Sequence, residues 1–258
     1  MLAVFLAGIA AGTINTVVGS GTLITFPTLL AIGVPPVTAN MSNTVGLVPG
    51  SVSGAIGYRR ELDGQRTRLM RLGTASLLGG LLGGVLLLTL PPGVFERVVP
   101  VLIAAGCVLV VFQPAISRRV SARAEARGRI PEHGATWVWL LVFATGIYGG
   151  YFGAAQGVLL MAILGVGLQE TLQRNNATKN VLAALVNGVA AVLFVIVAYV
   201  DWREDAHVDW AVVALIAAGS TIGGQVGAHV GRRLSPVALR VVIVLVGVVA
   251  LVRFLTAQ

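Results

Sequence analysis

Long uncharged spans constrain this chain more than any other feature of its sequence. Of the 258 residues, 56% are hydrophobic and only 11% are charged, whereas soluble domains carry about 25% charged residues. The charges also collect in a few short connections, chiefly residues 59–71, 114–134 and 201–209. Because a membrane helix needs about 20 mostly apolar residues, the spans between these connections predict an all-α polytopic membrane protein.

The apolar sequence divides into two sets of five segments. In each set the first two segments are short and join at a glycine-rich break, Gly19-Ser20-Gly21 in the first set and residues 153–157 in the second. Apolar runs of about 10–14 residues are candidates for re-entrant segments, so the pairs are either short tilted spans or half-helices that meet inside the bilayer. The predicted segments are about 2–18, 20–33, 37–58, 69–90, 94–113, 136–152, 155–168, 175–200, 208–231 and 236–256.

Landmarks of the first five segments recur in the second five. The glycine pattern Gly79-Gly80-Leu81-Leu82-Gly83 has a counterpart in Gly223-Gly224-Gln225-Val226-Gly227. The order of landmarks predicts an internal duplication. We therefore expect a first membrane repeat at residues 1–113, a basic cytoplasmic connection at 114–134, and a second membrane repeat at 135–258.

Arginine placement predicts the orientation of the segments. The connections 59–71 and 114–134 are both basic, which places them in the cytoplasm, and the acidic connection 201–209 is expected outside. Five segments per half is an odd number, so the second half must be inverted relative to the first. The sequence thus predicts an inverted-topology repeat with both termini outside. The result is unchanged if each short pair is a re-entrant hairpin.

Acidic residues are missing from the middle of the apolar spans. All ten occupy connections or segment ends, whereas a cation site or a carboxylate proton relay would normally place one within a span. This pattern disfavours cation transport and leaves a neutral or anionic substrate. The net charge of +8 reflects arginines between spans, so we expect no nucleic-acid partner. We also predict no metal and no cofactor. We expect His229 to be a buried imidazole with satisfied hydrogen bonds.

The two glycine breaks carry the polar groups that we predict to bind a small anion. Helices starting at Gly19-Ser20-Gly21 and Gln156-Gly157 would point their N-termini inward, and the free N–H groups of a helix N-terminus bind anions. Lys179 is the only lysine among 18 basic residues, and its ammonium could attract an anion or change protonation when desolvated. The predicted substrate-binding residues are Asn15, Gly19, Ser20, Gly21, Thr22, Asn43, Tyr148, Tyr151, Gln156, Gly157, Lys179 and Asn180.

Each of these residues also has a purely structural interpretation. Glycines in membrane helices commonly let helices pack closely, and amides such as Asn43 and Asn180 can hydrogen-bond across helices. Tyr148 and Tyr151 could belong to an interfacial aromatic belt. Lys179 could lie near a cytoplasmic helix end and extend its ammonium to the interface.

The sequence resembles the sulfite exporter TauE/SafE family over nearly its whole length. The resemblance rests on the glycine-punctuated starts of both halves, the segment exits, the glycine-rich fourth segments, the amide–lysine cluster and the end of the long helix. The exits, the cluster and the helix end read Gly33-Val34-Pro35-Pro36, Gly165-Val166-Gly167-Leu168, Asn176-Ala177-Thr178-Lys179-Asn180 and Val200-Asp201-Trp202. The resemblance implies a multi-pass permease of the bacterial inner membrane for small sulfur-containing anions such as sulfite, sulfonates or sulfoacetate.

These observations together predict a secondary transporter of a small anion, and the resemblance favours an exporter of sulfite or an organosulfonate. The substrate would bind near the midplane between the two breaks, and one repeat would move against the other to give alternating access. A passive anion channel is the alternative. An intramembrane enzyme would have to pair Ser20 with His229 without a supporting motif, so no catalytic residue is predicted. The expected partners are the anion and the lipid bilayer; homo-oligomerisation stays open.

Overall fold

The protein is a bundle of α-helices in a computed structural model that describes residues 1–126, 134–200, 207–230 and 236–256. Within these ranges the chain forms ten α-helices, and no β-strand occurs. The helices are α1 (Leu2–Val17), α2 (Thr22–Ala31), α3 (Pro36–Gly57), α4 (Arg66–Thr89), α5 (Pro92–Ala126), α6 (Thr136–Tyr151), α7 (Gln156–Gly167), α8 (Leu172–Val200), α9 (Trp210–Val230) and α10 (Pro236–Thr256). A 3-10 helix, Arg59–Leu62, follows α3.

Four of the described helices are long and apolar enough to cross a membrane. They are α4, residues Pro92–Ile116 of α5, α8, and residues Trp210–His229 of α9. The prediction of an all-α polytopic membrane protein is confirmed. One boundary differs markedly, because α5 continues as helix to Ala126 and so extends into the basic connection that was expected to begin at residue 114.

The two short pairs of helices are helical hairpins; whether they span the bilayer or re-enter it stays a prediction. Gly167, the last residue of α7, lies next to the start of α6. A Cβ atom added to Gly167 would lie 3.2 Å from the ring of Trp137. In the first pair, a side chain at Gly21 would begin 3.1 Å from the carbonyl carbon of Ala11, so α2 turns back along α1. The second helices of the pairs have only 10 and 12 residues.

Glycine faces pack the hairpins against long helices. Gly83 of α4 lies directly against the carbonyl group of Ile147 in α6, and Gly223 of α9 lies in the same way against that of Ile9 in α1. Backbones can approach this closely only where no Cβ intervenes. The two glycine patterns therefore provide close helix packing, and each hairpin is fixed against the fourth helix of the other half.

Each of these helices packs on a helix of the other half, and its counterpart five places along the chain makes the reciprocal contact. Helix α1 packs on α9 as α6 packs on α4, α3 packs on α9 as α8 packs on α4, and α2–α10 corresponds to α7–α5. The two five-helix halves therefore interlock instead of lying side by side. This exchange is what an internal duplication predicts; the inverted orientation of the halves in the bilayer stays a prediction.

Replacing Gly83 with Ala should lower the thermal stability of the protein. The new methyl group would overlap the Ile147 carbonyl and approach the Tyr151 amide nitrogen to 2.8 Å. Backbone atoms cannot rotate away, and overpacking of a tight contact costs about 1–3 kcal/mol. The midpoint of thermal unfolding in detergent measures the effect.

Gly188→Ala in α8 is the matched control, because open space surrounds Gly188. An alanine inside a helix is favoured over glycine by about 0.5–1 kcal/mol, so this variant should keep or raise the unfolding midpoint. Equal midpoints for both variants would contradict the close α4–α6 contact.

Candidate functional site

Both hairpins turn through the same backbone motif at matched positions. The amide of Gly19 donates to the carbonyl of Ile14 at 3.0 Å, and the amide of Gly153 donates to that of Tyr148 at 3.1 Å. Gly19 and Gly153 have φ angles of +87° and +76°. Such left-handed residues end helices and favour glycine. The two breaks seen in the sequence are thus equivalent helix ends followed by a reversal of the chain.

The tips of the two hairpins meet. The amide of Gly157, the second residue of α7, donates to the carbonyl of Gly19 at 2.9 Å. The Cα atoms of these two glycines lie so close that a side chain on either would overlap the other. The two breaks therefore contact each other; that they bind a substrate stays a prediction. This contact uses one amide of the first turn of α7. The N-terminus of α7 therefore has fewer free amides for a ligand than the N-terminus of α2.

Unpaired polar groups flank the contact between the tips. Across the described residues, the backbone amides of Ser20, Gly21 and Thr22 have no hydrogen-bond acceptor. The hydroxyl of Ser20 and the side-chain nitrogen of Gln156 also lack partners, although the two residues are only 0% and 4% exposed. Buried polar groups are rarely left unpaired. The junction thus holds more hydrogen-bond donors than the protein itself satisfies.

Lys179 touches both tips from α8. Its ammonium donates to the carbonyls of Asn15 and Thr16, in the last turn of α1, at 3.0 and 3.1 Å. Its aliphatic chain lies beside α7, since a side chain at Gly157 would begin 3.0 Å from Lys179 Cδ. The residue is 0% exposed, so the interpretation that it extends to the membrane interface is wrong. A cation at this position also interacts favourably with the negative, C-terminal end of the α1 dipole.

Amide side chains complete the caps and come from the opposite half. Asn176 and Asn180 of α8 donate to the Thr16 carbonyl at 3.2 and 3.4 Å. In the matching position, Asn40 of α3 donates to the carbonyl of Tyr151, the last residue of α6, at 2.9 Å. Neither Asn40 nor Asn176 was in the predicted set. The repeat itself held the missed signal, because Asn40 and Asn176 occupy equivalent places in the two amide clusters.

A second polar layer lies beside the tips, between α1, α3 and α8. The side-chain amides of Asn15 and Asn187 both donate to the hydroxyl of Ser51, at 3.3 and 3.2 Å. Asn15 and Asn187 are half-buried. Asn15 therefore offers its carbonyl to Lys179 and its side chain to this layer. The sequence did not predict the layer, because Ser51 lies in another segment.

The other predicted residues serve the hairpins themselves. Asn43 hydrogen-bonds with Thr25 and donates to the Thr22 hydroxyl at 3.4 Å, so it ties α3 to α2. The hydroxyl of Tyr148 donates to the carbonyl of Ala154 in its own turn. The Tyr151 ring lies 5.6 Å, edge to face, from a phenylalanine ring of α5. Among the described residues, no three His, Cys, Asp or Glu side chains are placed to hold a metal ion.

A charged network joins the two halves near the arginine-rich connection. Glu170, between α7 and α8, accepts from Arg68 at 2.8 Å and from Arg174 at 2.6 Å. Arg68 also donates to the side-chain oxygen of Gln65 at 2.8 Å, and the hydroxyl of Thr178 donates to the same oxygen at 3.0 Å. Burial alone would raise the pKa of the Glu170 carboxyl, but the two guanidinium groups outweigh burial and hold it below its usual value.

Broken helices that meet at a polar centre define the class of the protein as a polytopic membrane transporter. Comparison with known families makes the assignment specific. The family model described as "Sulfite exporter TauE/SafE" matches residues 4–254. The chain belongs to this family, and the resemblance drawn from its sequence is confirmed.

Three relatives of similar length are all described as probable membrane transporter proteins. A "Probable membrane transporter protein" of Haemophilus influenzae is 25% identical over 87% of this chain and 82% of its own. The "Probable membrane transporter protein ORF9" of a Sinorhizobium species is 24% identical over 97% and 90% of the two chains. The Escherichia coli K12 protein YfcA, of the same description, is 22% identical over 95% and 86%. No solved structure matches the chain significantly.

Acid should remove the stabilisation that Glu170 provides. Its pKa is lower in the folded than in the unfolded chain, so its contribution is complete above the unfolded pKa and is lost as the pH falls through the folded pKa. At pH 7 the variant Glu170→Gln should be less stable by about 1–2 kcal/mol. The gap should narrow only below the usual carboxyl pKa of about 4.3, measured as unfolding midpoints in detergent from about pH 7 down to about pH 3.

The exposed Glu96 of α5 offers the matched control, since Glu96→Gln removes the same charge from the protein surface. This variant should follow the wild-type pH profile. A Glu170→Gln deficit that stays constant with pH would show that the ion pairs contribute nothing specific.

Proposed function

We propose that the protein is a secondary carrier of a small anion, which binds at the junction of the two hairpin tips. One observation supports this proposal above the others: the tips contact each other at Gly19 and Gly157, directly beside the buried ammonium of Lys179. Substrate sites of transporters built from repeats commonly lie where discontinuous helices of the two halves meet. The proposed ligands are the predicted residues of the tips, above all Ser20, Gln156 and Lys179.

The charge and donor balance of the junction favours an anion. An ammonium has three donor protons, and Lys179 uses two of them on α1 carbonyls. The unpaired amides of residues 20–22 and the free groups of Ser20 and Gln156 are further donors. Neither tip sequence nor the residues 175–180 include an acidic residue. Sulfite or an organosulfonate, which offers several acceptor oxygens and a negative charge, fits this arrangement and the name of the family.

Alternating access would require the two halves to separate at one end at a time. At the arginine-rich end, Thr178 bonds Gln65 beside the Arg68–Glu170–Arg174 network. At the other end, the amide of Asp209 donates to the hydroxyl of Ser42 at 2.9 Å. These bonds join the halves at matched places, and each set would break when its end opens. We place the arginine-rich end in the cytoplasm of a bacterial cell and both termini outside.

Replacing Ser20 should change substrate binding without lowering the stability of the fold. Its hydroxyl has no partner, so Ser20→Ala should leave the unfolding midpoint unchanged or slightly higher. The same change should weaken the apparent affinity for the anion by roughly tenfold, the value of a hydrogen bond to a charged group. Uptake of radiolabelled sulfite into proteoliposomes, measured over a range of concentrations, gives this affinity. A wild-type affinity in Ser20→Ala would remove the hydroxyl from the site.

Ser76→Ala is the matched control for this experiment. Ser76 of α4 is 0% exposed and its hydroxyl also has no partner, but it lies away from the tips. It should keep both the affinity and the maximal rate of transport.

Removing the buried charge should have a larger effect. Lys179→Met keeps most of the aliphatic chain beside Gly157, but it deletes the ammonium that donates to the carbonyls at the end of α1. We expect counterflow of radiolabelled sulfite to fall by at least roughly tenfold, while Arg97→Gln, which removes an exposed charge, leaves it intact. Full counterflow in a folded Lys179→Met protein would exclude the ammonium from the mechanism. A non-saturating current in place of counterflow in the wild type would indicate a channel.

A further inference from the structure

A cavity of about 460 Å³ lies apart from the hairpin tips, at the arginine-rich end of the bundle. It opens between the end of α3, the following 3-10 helix and the end of α9. Its polar lining consists of Arg59, Arg60, Glu61, Gln225 and His229. The volume is within the range of small-ligand sites, about 300–1,000 Å³. Neither the transport proposal nor the family match assigns a role to these residues.

The lining is suited to an oxygen-rich anion. The lining includes two arginines and one glutamate, so the described side chains around the cavity carry net positive charge. Arginine binds phosphate and sulfonate oxygens through pairs of parallel N–H donors. This basic patch is also on the face where arginine placement predicts the cytoplasmic leaflet, whose anionic lipids are attracted to basic pockets between helices.

The wall of the cavity formed by α9 is held in place by hydrogen bonds. The side-chain amide of Gln225 donates to both the carbonyl and the hydroxyl of Ser53, each at 2.9 Å. His229 is exposed, contrary to the expectation of a buried imidazole, and its Nδ1 bonds the Gln225 carbonyl at 2.9 Å. Because a carbonyl only accepts, Nδ1 carries the proton, and Nε2 becomes a donor when the ring is protonated.

The same helix ends also hold the first hairpin. A side chain at Gly54 of α3 would begin 2.5 Å from the hydroxyl of Thr16, and one at Gly227 of α9 would begin 2.9 Å from Thr16 Cβ. The carbonyl of Thr16 is an acceptor for Lys179. A ligand that bridges the 3-10 helix and α9 would therefore brace the walls around the end of α1.

We propose that this cavity is a second anion site, which binds an oxyanion group through Arg59 and Arg60 and bridges the 3-10 helix to the end of α9. The group is a phosphate or a chemically similar oxyanion, supplied either free in solution or as the headgroup of an anionic lipid. The site is separate from the transport junction, so it does not depend on the carrier proposal.

Ligand-dependent stability of the purified protein tests this site, because a ligand of the folded state raises the unfolding midpoint. The midpoint is measured in neutral detergent against sodium phosphate, with sodium chloride at equal ionic strength as reference. A second series compares short-chain phosphatidylglycerol with short-chain phosphatidylcholine. Arg59→Gln/Arg60→Gln should weaken the apparent affinity by roughly tenfold or more. Arg118→Gln/Arg119→Gln, another adjacent pair of exposed arginines, should keep the wild-type response.

A response to phosphate identifies a free oxyanion as the ligand, and a response to phosphatidylglycerol alone identifies the lipid headgroup. Either response must also persist in Ser20→Ala, which separates this site from the transport junction. The proposal is overturned if neither ligand raises the midpoint of the wild type. It is equally overturned if the Arg59/Arg60 variant responds like the wild type, or if both arginine pairs lose the response together.

Discussion

The structure depends on how the last carbonyl groups of two helices find hydrogen-bond partners inside an apolar protein. The last carbonyls of a helix have no partner within that helix, and the bilayer offers no water to replace one. In this protein, Lys179, Asn176 and Asn180 supply the partners for the end of α1, and Asn40 supplies one for the end of α6. Each cap comes from the opposite half of the chain. Satisfying the helix ends therefore holds the two halves together at the same point where the hairpins meet.

The two halves use the same backbone plan with different side chains. Gly19 and Gly153 turn the hairpins alike, but Asn43 in the first half occupies the place that Lys179 occupies in the second. Asn43 ties α3 to α2 of its own half, whereas Lys179 reaches across to α1. The buried Lys179 side chain thus makes the junction different on its two sides. In the proposed carrier, this asymmetry provides charge for an anion without a carboxylate nearby to compete for it.

Much of the architecture could be predicted from residue patterns, because helix length, charge placement and glycine breaks are local properties of a sequence. The ten helices, the short pairs and the close packing of Gly83 and Gly223 follow from such patterns. The partners of Lys179, Asn176 and Asn40 could not be predicted in the same way, since they are more than a hundred residues away in the chain. Lys179 faces helix carbonyls as well as the junction, and one amide of α7 is already bonded to Gly19. Which side of a buried helix a residue faces, as with His229, likewise depends on tertiary packing.

The most direct test of the central claim is to locate a bound anion at the hairpin tips. Selenite resembles sulfite, and the anomalous scattering of selenium would locate it in crystals grown with this anion. The account predicts an anomalous peak beside the Gly19–Gly157 contact, within hydrogen-bond distance of Ser20 Oγ or Gln156 Nε2 and close to the Lys179 ammonium. Well-ordered crystals that show selenite elsewhere in the protein, with no peak between the tips, would contradict it.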